Sequence, residues 1–557
     1  MLEVPVLIVG AGPVGLALAG DLGFQGAACT LIEKTDGTVV QPKMDMVGIR
    51  TMEYCRRWGI VGSVESAGYN RAYPQDYAWV TSLNGYEFGR EVFPAPRDER
   101  CPPQSPQKRE RCPQNFFDPV LRRFAQQWPG VSIRYRTELI SLREGPSWVE
   151  SVIEDKSTGD RGVVRSQYVV GTDGGASRVR ELLDIGMSGE PTLTFTTNVI
   201  FRCQNFEALH DKKPGYRYIF IGPEGTWATL VAIDGWDHWR FSLVGDQTRR
   251  TLTEPDLRAA IVRAVGKPFE FEILSMMPWT RRQLVADRYG TRRVLLAGDA
   301  AHLTSPTGGF GMNTGIQDAV NLSWKLAACL KGWGGPSLLA SYELEQRPVA
   351  IRNVAEATDN LKRMLSPRLT APPAEIFTTD SPTAEASRRA FGDQYTQMMK
   401  REWFTIGIHL GYVYEGSPVI EPDGTPRPPD EVSTYTPTAR PGSRAPHIWL
   451  EPARSMLDYF GREFVLLCFD HAPAGALELA AQAAQRGIPF RQIDISNPAA
   501  AALYGTRLVL VRPDGQVAWR GDELPVGCGK LLDKLRGADT GASIAKPAGE
   551  RIEVGRQ

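Results

Sequence analysis

PVLIVG at residues 5–10 is a short apolar run rich in branched side chains, the pattern of a strand buried on both faces. AGPVGLALAGDLGFQG follows as a helix, and ACTLIEK (28–34) supplies a second strand. A strand–helix–strand opening predicts an α/β fold with a parallel sheet. SQYVVGTDGGASRVRELL (166–183) reads as strand, turn and an arginine-bearing helix start, and RRVLLAGD (292–299) returns to a buried strand. Between them, FTTNVIFRCQ and YRYIFIGPEGTWATLVAIDGWDHWRFSLVGD (216–246) alternate like antiparallel strands turning at GPEG and DGWD. This predicts a separate, aromatic-rich sheet inserted into the first fold. Alternation there puts Trp239 and Phe241 on one face, and Arg240 and Ser242 on the other. GIQDAVNLSWKLAACLK (315–331) brings Ile316, Ala319, Val320, Leu326 and Leu330 to one helical face, as in a core helix.

From about residue 366 to 446 the chain turns rich in Pro, Thr, Ser and charge, which predicts irregular wrapping segments and a linker around some helix. Beyond it, REFVLLCFD, a helical ALELAAQAAQRG and a hairpin turning at Pro513-Asp514-Gly515 predict a separate small α/β domain. The divisions that follow are a discontinuous nucleotide-binding domain (1–75, 105–185 and 280–365) and an inserted sheet domain (76–104 and 186–279). A helical or irregular wrap (366–439) and a C-terminal domain (440–557) complete the chain.

Composition narrows the function classes. Lys+Arg and Asp+Glu are both 64 in 557 residues, so no net charge points to nucleic acid or an anionic membrane. No apolar run approaches the roughly 18 residues of a membrane span, and the N-terminal run leads into a glycine turn rather than a cleavage site. Eight cysteines show no CxxC and no metal-ligand spacing, so no metal site is expected. A cytoplasmic protein with free thiols follows, Cys101–Cys112 being the one pairing left open.

Two glycine-rich stretches carry candidate chemistry. GAGPVG lies between the first strand and helix, with Glu33 placed 21 residues beyond Gly12. Gly10 permits a tight turn, Gly12 lets backbone approach a pyrophosphate, and Gly15 lets helix pack on strand; Glu33 accepts a ribose hydroxyl. Taken alone, the motif suits NAD(P) and FAD equally. The second stretch, GDAAHLTSPTGGFGMN (298–313), sets an acid at a strand end and glycines before a helix. Asp299 there can bind a polyol hydroxyl, and the helix N-terminus can stabilise negative charge, which a reduced flavin carries and NAD does not.

GAGPVG, GTDGGASRVR and GDAAHLTSPTGGFGMN, in this order and spacing, resemble the single-component FAD-dependent aromatic hydroxylases, the flavoprotein monooxygenases typified by para-hydroxybenzoate and phenol hydroxylases. The resemblance covers residues 1 to about 360, and the last 120 residues resemble the thioredoxin-like domain of phenol-hydroxylase-like members. The implied fold is α/β: a Rossmann-type FAD-binding domain with an inserted β-sheet substrate domain, plus a C-terminal thioredoxin-like α/β domain. Here that domain lacks CxxC, so a structural or interface role is expected rather than dithiol chemistry.

The resemblance also implies roles for residues. Gly10, Gly12, Val14 and Gly15 hold the pyrophosphate; Glu33 and its neighbour Lys34 lie at the adenosine ribose. Gly298 and Asp299 meet the ribityl chain, and Gly309, Gly311, Met312 and Asn313 meet the isoalloxazine. Pro306 lies by the flavin face where oxygen reacts and borders the substrate. Asp173 belongs to a motif linked to FAD and pyridine-nucleotide binding, and Gln114 matches a glutamine that contacts flavin. Lys43 stands where many relatives have arginine, so planar bidentate contacts are lost. Asp45 aligns with an aspartate proposed as base in phenol and 3-hydroxybenzoate hydroxylases. A phenol titrates near pH 10 and an ordinary Asp near 4. A base role therefore needs a raised pKa, or a hydrogen bond to the developing charge. Where those relatives place a tyrosine beside the phenol this chain has Ser242, leaving Tyr216 or Tyr218 to replace it. Arg240 facing the pocket would suit an anionic or hydroxylated ring, and His302 suits a structural hydrogen bond.

The implied reaction is hydroxylation of a phenolic or similar electron-rich ring through an FAD C4a-hydroperoxide, with NADH or NADPH and O2, in aromatic catabolism. Tailoring of a polyketide or antibiotic by the same chemistry is the alternative, and a non-catalytic flavin-binding protein the alternative from another class. The expected partners are a small aromatic substrate, O2 and NAD(P)H, with a homodimer by analogy.

Overall fold

The computed structural model describes residues 1–469 and 475–538. The last stretch of the expected C-terminal domain, 539–557, lies outside the described residues.

Strand Leu2–Val9 pairs in parallel with Cys29–Ile32 on one side and with Arg161–Gly171 on the other. Val131–Arg134 and Val294–Leu296 extend this parallel sheet, and an antiparallel pair, Val149–Asp155 and Thr137–Glu144, completes it. The parallel strands are apolar throughout because helices cover them; Val6, Leu7, Ile8, Leu31, Val169, Val170 and Leu296 are buried. Helix Pro13–Phe24 packs against helices Gln114–Gln126 and Gly311–Leu330. The close strand–helix approach depends on Gly15, where an added Cβ would lie 1.9 Å from the Gly10 carbonyl oxygen.

The second sheet has eight strands and runs almost wholly antiparallel. Met187–Arg202 lies between Glu272–Ala286 and His238–Val244, followed by Gly225–Ala232, Arg217–Gly222 and Tyr77–Val80. The turns fall at Pro223-Glu224 and at Asp234–Asp237. Side-chain alternation divides this sheet into two faces. Trp239 and Phe241 pack with Leu257, Ile261 and Val265 of helix Glu254–Val265, whereas Arg240 and Ser242 face the cavity between the two sheets.

The helix expected somewhere within 366–446 is longer than that polar composition foretells. A 22-residue helix, Pro382–Trp403, packs on strand Glu87–Glu91 and helix Pro336–Met364. Its last residue, Trp403, stacks on Tyr77 and Trp79 with ring centroids 4.5 and 5.6 Å apart. The C-terminal unit has strand order Phe490–Ile495, Phe464–Phe469, Leu508–Val511, Val517–Gly521. The first pair is parallel and the others antiparallel, with helices Ala476–Gln485, Pro498–Tyr504 and Cys528–Leu535 between and after them. All eight cysteines are free thiols, Cys101 exposed and Cys112 buried.

Buried charges fasten this unit to the rest. Glu53 accepts from Arg444, Arg50 and Ser105. Glu345 accepts from Arg512, Lys325, Asn321 and Ser417. Opposing guanidiniums hold both carboxylates below their ordinary range against the opposing effect of burial.

Candidate active site

One continuous cavity of about 290 Å³ lies between the parallel sheet and the second sheet. On the first side it is bounded by Gly12 and Val14, by Lys43 and Gln114, and by the 299–312 loop. On the other side it is bounded by Thr196, Asn198, Thr229, Arg240, Ser242 and Arg281 of the sheet. Trp403 and Glu402 close it from the long helix.

The first side suits an anionic, extended cofactor. Helix Pro13–Phe24 starts at Gly12 with no side-chain cap, and helix Gly311–Leu330 starts after Phe310, also uncapped. The first amides of an α-helix have no partner of their own, so both ends offer donors and a positive dipole end to a ligand. The Asp299 carboxylate borders the cavity and accepts no hydrogen bond from the described residues. These features fit pyrophosphate, polyol and an anionic ring in one elongated molecule, as FAD requires.

The motif residues divide between direct lining and support. Gly12, Val14, Lys43, Gln114, Asp299, Pro306, Gly309, Gly311 and Met312 line the cavity. Gly10 forms the turn behind it, its N–H donating to the Ile32 carbonyl at 2.8 Å. Glu33 accepts from the Ala11 amide at 2.9 Å and from Thr35, which fixes its carboxylate beside the glycine turn. Lys34 is exposed and lies off the cavity. Asp173 caps helix Arg178–Leu182, accepting from Ser177 Oγ and the Arg178 and Val179 amides, and so orients Gly174 on the cavity wall. The Gly298 amide donates to Asp318. Asn313 ties the flavin loop to the next segment: its Oδ1 accepts from Gly48 and Thr51, and its Nδ2 donates to Met46 and Gly309. His302 is buried, with Nε2 2.8 Å from Asp318 Oδ2. Burial opposes its charge, yet Asp318 outweighs that and raises its pKa.

On the sheet side, Asp45 sits between two guanidiniums, with Arg111 Nη1 at 3.1 Å and Arg240 Nη2 at 3.0 Å. Burial alone would raise its carboxyl, but Arg240 and Arg111 together hold it below the ordinary range. This direction is opposite to that of a carboxylate tuned to take a phenolic proton. Tyr216, just before strand Arg217–Gly222, turns into the cavity with the Arg111 guanidinium 3.6 Å over its ring. Tyr218 lies off the cavity. Within the strand its position alternates onto the opposite face, where its hydroxyl donates to the Lys213 carbonyl and its ring meets His210. Arg240 faces the cavity, as its alternation with Trp239 allowed.

Several lining residues carry no motif. Arg111 stands three residues before Gln114; Arg217 pairs with Glu402 at 2.6 Å; Arg281 projects from the strand that also bears Trp279. Alternation through WTRRQLVA sets Trp279 and Arg281 on one face, a legible signal. Glu402 and Trp403 depend on where a helix ends in a polar-looking region, which no local pattern reveals.

Comparison with known proteins agrees with this construction. Residues 3–357 match the family model described as FAD binding domain, and residues 438–538 match the one described as aromatic-ring hydroxylase, C-terminal. The chain is 36% identical to a putative polyketide hydroxylase of Streptomyces halstedii, over 96% of both chains. It is 32% identical to 4-methyl-5-nitrocatechol 5-monooxygenase of a Burkholderia species, over 94% of this chain and 95% of that one. Among solved structures, RebC soaked with chromopyrrolic acid and holding 7-carboxy-K252c superposes with TM-score 0.89. That structure is 38% identical and covers 97% of this chain and 100% of its own. With a glycine-turn seat for FAD on one wall and a charged sheet on the other, the chain belongs to the FAD-dependent aromatic monooxygenases, which use NAD(P)H and O2.

Proposed function

We propose that this protein is a tailoring hydroxylase of a polycyclic, polyketide-like aromatic, rather than a catabolic hydroxylase of a single phenol ring. The observation that carries this reading is the cavity floor. Thr196, Asn198, Ser242 and Thr229 present small polar side chains across three adjacent strands, and Ser242 Oγ donates to Asn198 Oδ1 at 2.8 Å. None of these four is bulky enough to confine one ring; the large side chains, Arg240, Arg281 and Trp279, stand around them rather than among them. The polyketide hydroxylase similarity supports the same reading.

Bound FAD supplies the passage of electrons from NAD(P)H and the activation of O2. The chain's own residues do the remaining work. Trp279 and Trp403 give aromatic walls that exclude water from the cavity. Asp45, ionised, accepts a hydrogen bond from a ring hydroxyl, which pushes electron density into the ring without removing the proton, while Arg111 and Arg240 hold the carboxylate in place. Tyr216 fixes the same hydroxyl from the side. The helix beginning at Gly311 stabilises negative charge on the reduced cofactor.

A second reading, catabolic hydroxylation of a single ring, is favoured by the similarity to the nitrocatechol monooxygenase. A panel separates the two. The holoenzyme is given 2-naphthol, hydroxyanthraquinones and simple phenols, with NADPH or NADH and isotope-labelled O2, and products are weighed by mass spectrometry. Labelled products from the fused rings, with phenols only oxidising the nicotinamide, support the tailoring reading; labelled catechols alone overturn it.

A further inference from the structure

Four guanidiniums reach the sheet side of the cavity from Arg111, Arg217, Arg240 and Arg281, but among the described residues only two carboxylates, Asp45 and Glu402, meet them there. Of the other cations in the lining, Arg109 is neutralised by Glu99, and Lys43 lies with its Nζ 5.7 Å from the Trp279 ring centroid. Arg111 and Arg240 share Asp45, and Arg217 takes Glu402. Arg281 has no acidic partner within 4 Å among the described residues. Its Nε donates to Thr196 Oγ1 at 3.1 Å, and its Nη1, buried, has no hydrogen-bond partner. The residue is only 5% exposed. Glu402, paired with Arg217, acts on Arg281 only from beyond salt-bridge range, and a buried charge with no direct partner of its own is costly unless a counter-charge completes it.

The position of Arg281 says where that counter-charge comes from. Trp279 stands two residues earlier on the same face of strand Glu272–Ala286, about 7 Å along it. Both side chains line the cavity. A planar ring resting against Trp279 therefore presents a substituent to the free end of the guanidinium.

We propose that Arg281 reads a carboxylate on the substrate, so that the rings this enzyme takes are aromatic acids. The proposal rests on the polycyclic reading above for the ring system, and on the charge imbalance alone for the acid. Burial and the neighbouring Arg217 push the Arg281 guanidinium down to about 9, which leaves it cationic at neutral pH. A guanidinium also offers two parallel donors, the geometry a carboxylate accepts.

The test uses matched pairs on the FAD-loaded enzyme at pH 7.5: 3-hydroxy-2-naphthoate against its methyl ester, and salicylate against methyl salicylate. Binding is read from the change in the flavin visible spectrum. The expected result is that each acid binds at least ~10-fold tighter than its ester, as for a hydrogen bond to a charged group. In Arg281→Met the acid-to-ester ratio falls to about one, and in Arg281→Lys part of it returns. The flavin spectrum of each variant reports that the cofactor seat is intact. Equal affinity of acid and ester in the unmodified enzyme overturns the proposal, as does a ratio that survives Arg281→Met. If the acid preference holds but only the salicylate pair binds, the polycyclic reading falls and the role of Arg281 stands.

Discussion

A carboxylate flanked by guanidiniums at 3.1 and 3.0 Å is ionised at neutral pH, and this fixes what Asp45 can do. It orients a ring hydroxyl and balances Arg111 and Arg240; it does not titrate near neutrality. Between pH 6 and 9 the single-turnover hydroxylation rate should therefore show no inflection belonging to Asp45. Asp45→Asn should lower that rate by ~10²-fold, with nicotinamide oxidation continuing uncoupled from product. A wild-type rate in this variant would remove Asp45 from the reaction. His302 behaves in the opposite sense. Its pKa is raised by Asp318, so its contribution to stability is complete below the unfolded value, about 6.5, and is lost as pH rises through the folded value. His302→Gln should flatten the fall in thermal stability of the holoenzyme above neutrality, read by flavin fluorescence release on heating.

At the scale of elements, the strand–turn–helix at the N-terminus tolerates almost no added bulk. Gly15→Ala places a methyl group 1.9 Å from the Gly10 oxygen, so strand and helix must part exactly where the pyrophosphate seat lies. FAD affinity should fall on the order of 30-fold, from an overpacking cost of about 2 kcal/mol, as measured by titrating apoprotein with FAD. This element, the 298–313 loop and the alternation of the inserted sheet were legible because each is written in adjacent residues. The period of two set Arg240 opposite Trp239 but left open which face meets the cavity; the structure turns the Arg240 face inward, and the same period serves Arg281. Tyr216 and Tyr218 share a parity, and only the point where the strand begins separates them, so alternation could not choose. Arg111, Arg217 and Glu402 were illegible for another reason: each matters through a partner more than 60 residues away.

Across the whole molecule, the C-terminal unit is held by charges that water cannot reach. Glu345 answers both Lys325 of the flavin-side helix and Arg512 of the C-terminal hairpin. Removing its charge strands the buried Lys325 and leaves Arg512 with Asp514 alone, so Glu345→Gln should cost about 3–5 kcal/mol. Thermal unfolding of the holoenzyme would show this as a separate, earlier transition of the C-terminal unit. That unit has no CxxC, and buried ion pairs fasten it to the flavin-side helix.

Helix Pro382–Trp403 reaches the cavity only with its tip, Glu402 and Trp403. Glu402 answers Arg217 of the sheet and the Gly308 amide of the flavin loop, at 2.6 and 3.3 Å. The rest of the helix lies outside the flavin seat. One carboxylate at the helix tip therefore couples the substrate wall to the flavin loop. A change that moves this tip should alter ring preference and the coupling of nicotinamide oxidation to product together, so a lineage that diversifies its products here also adjusts its redox centre.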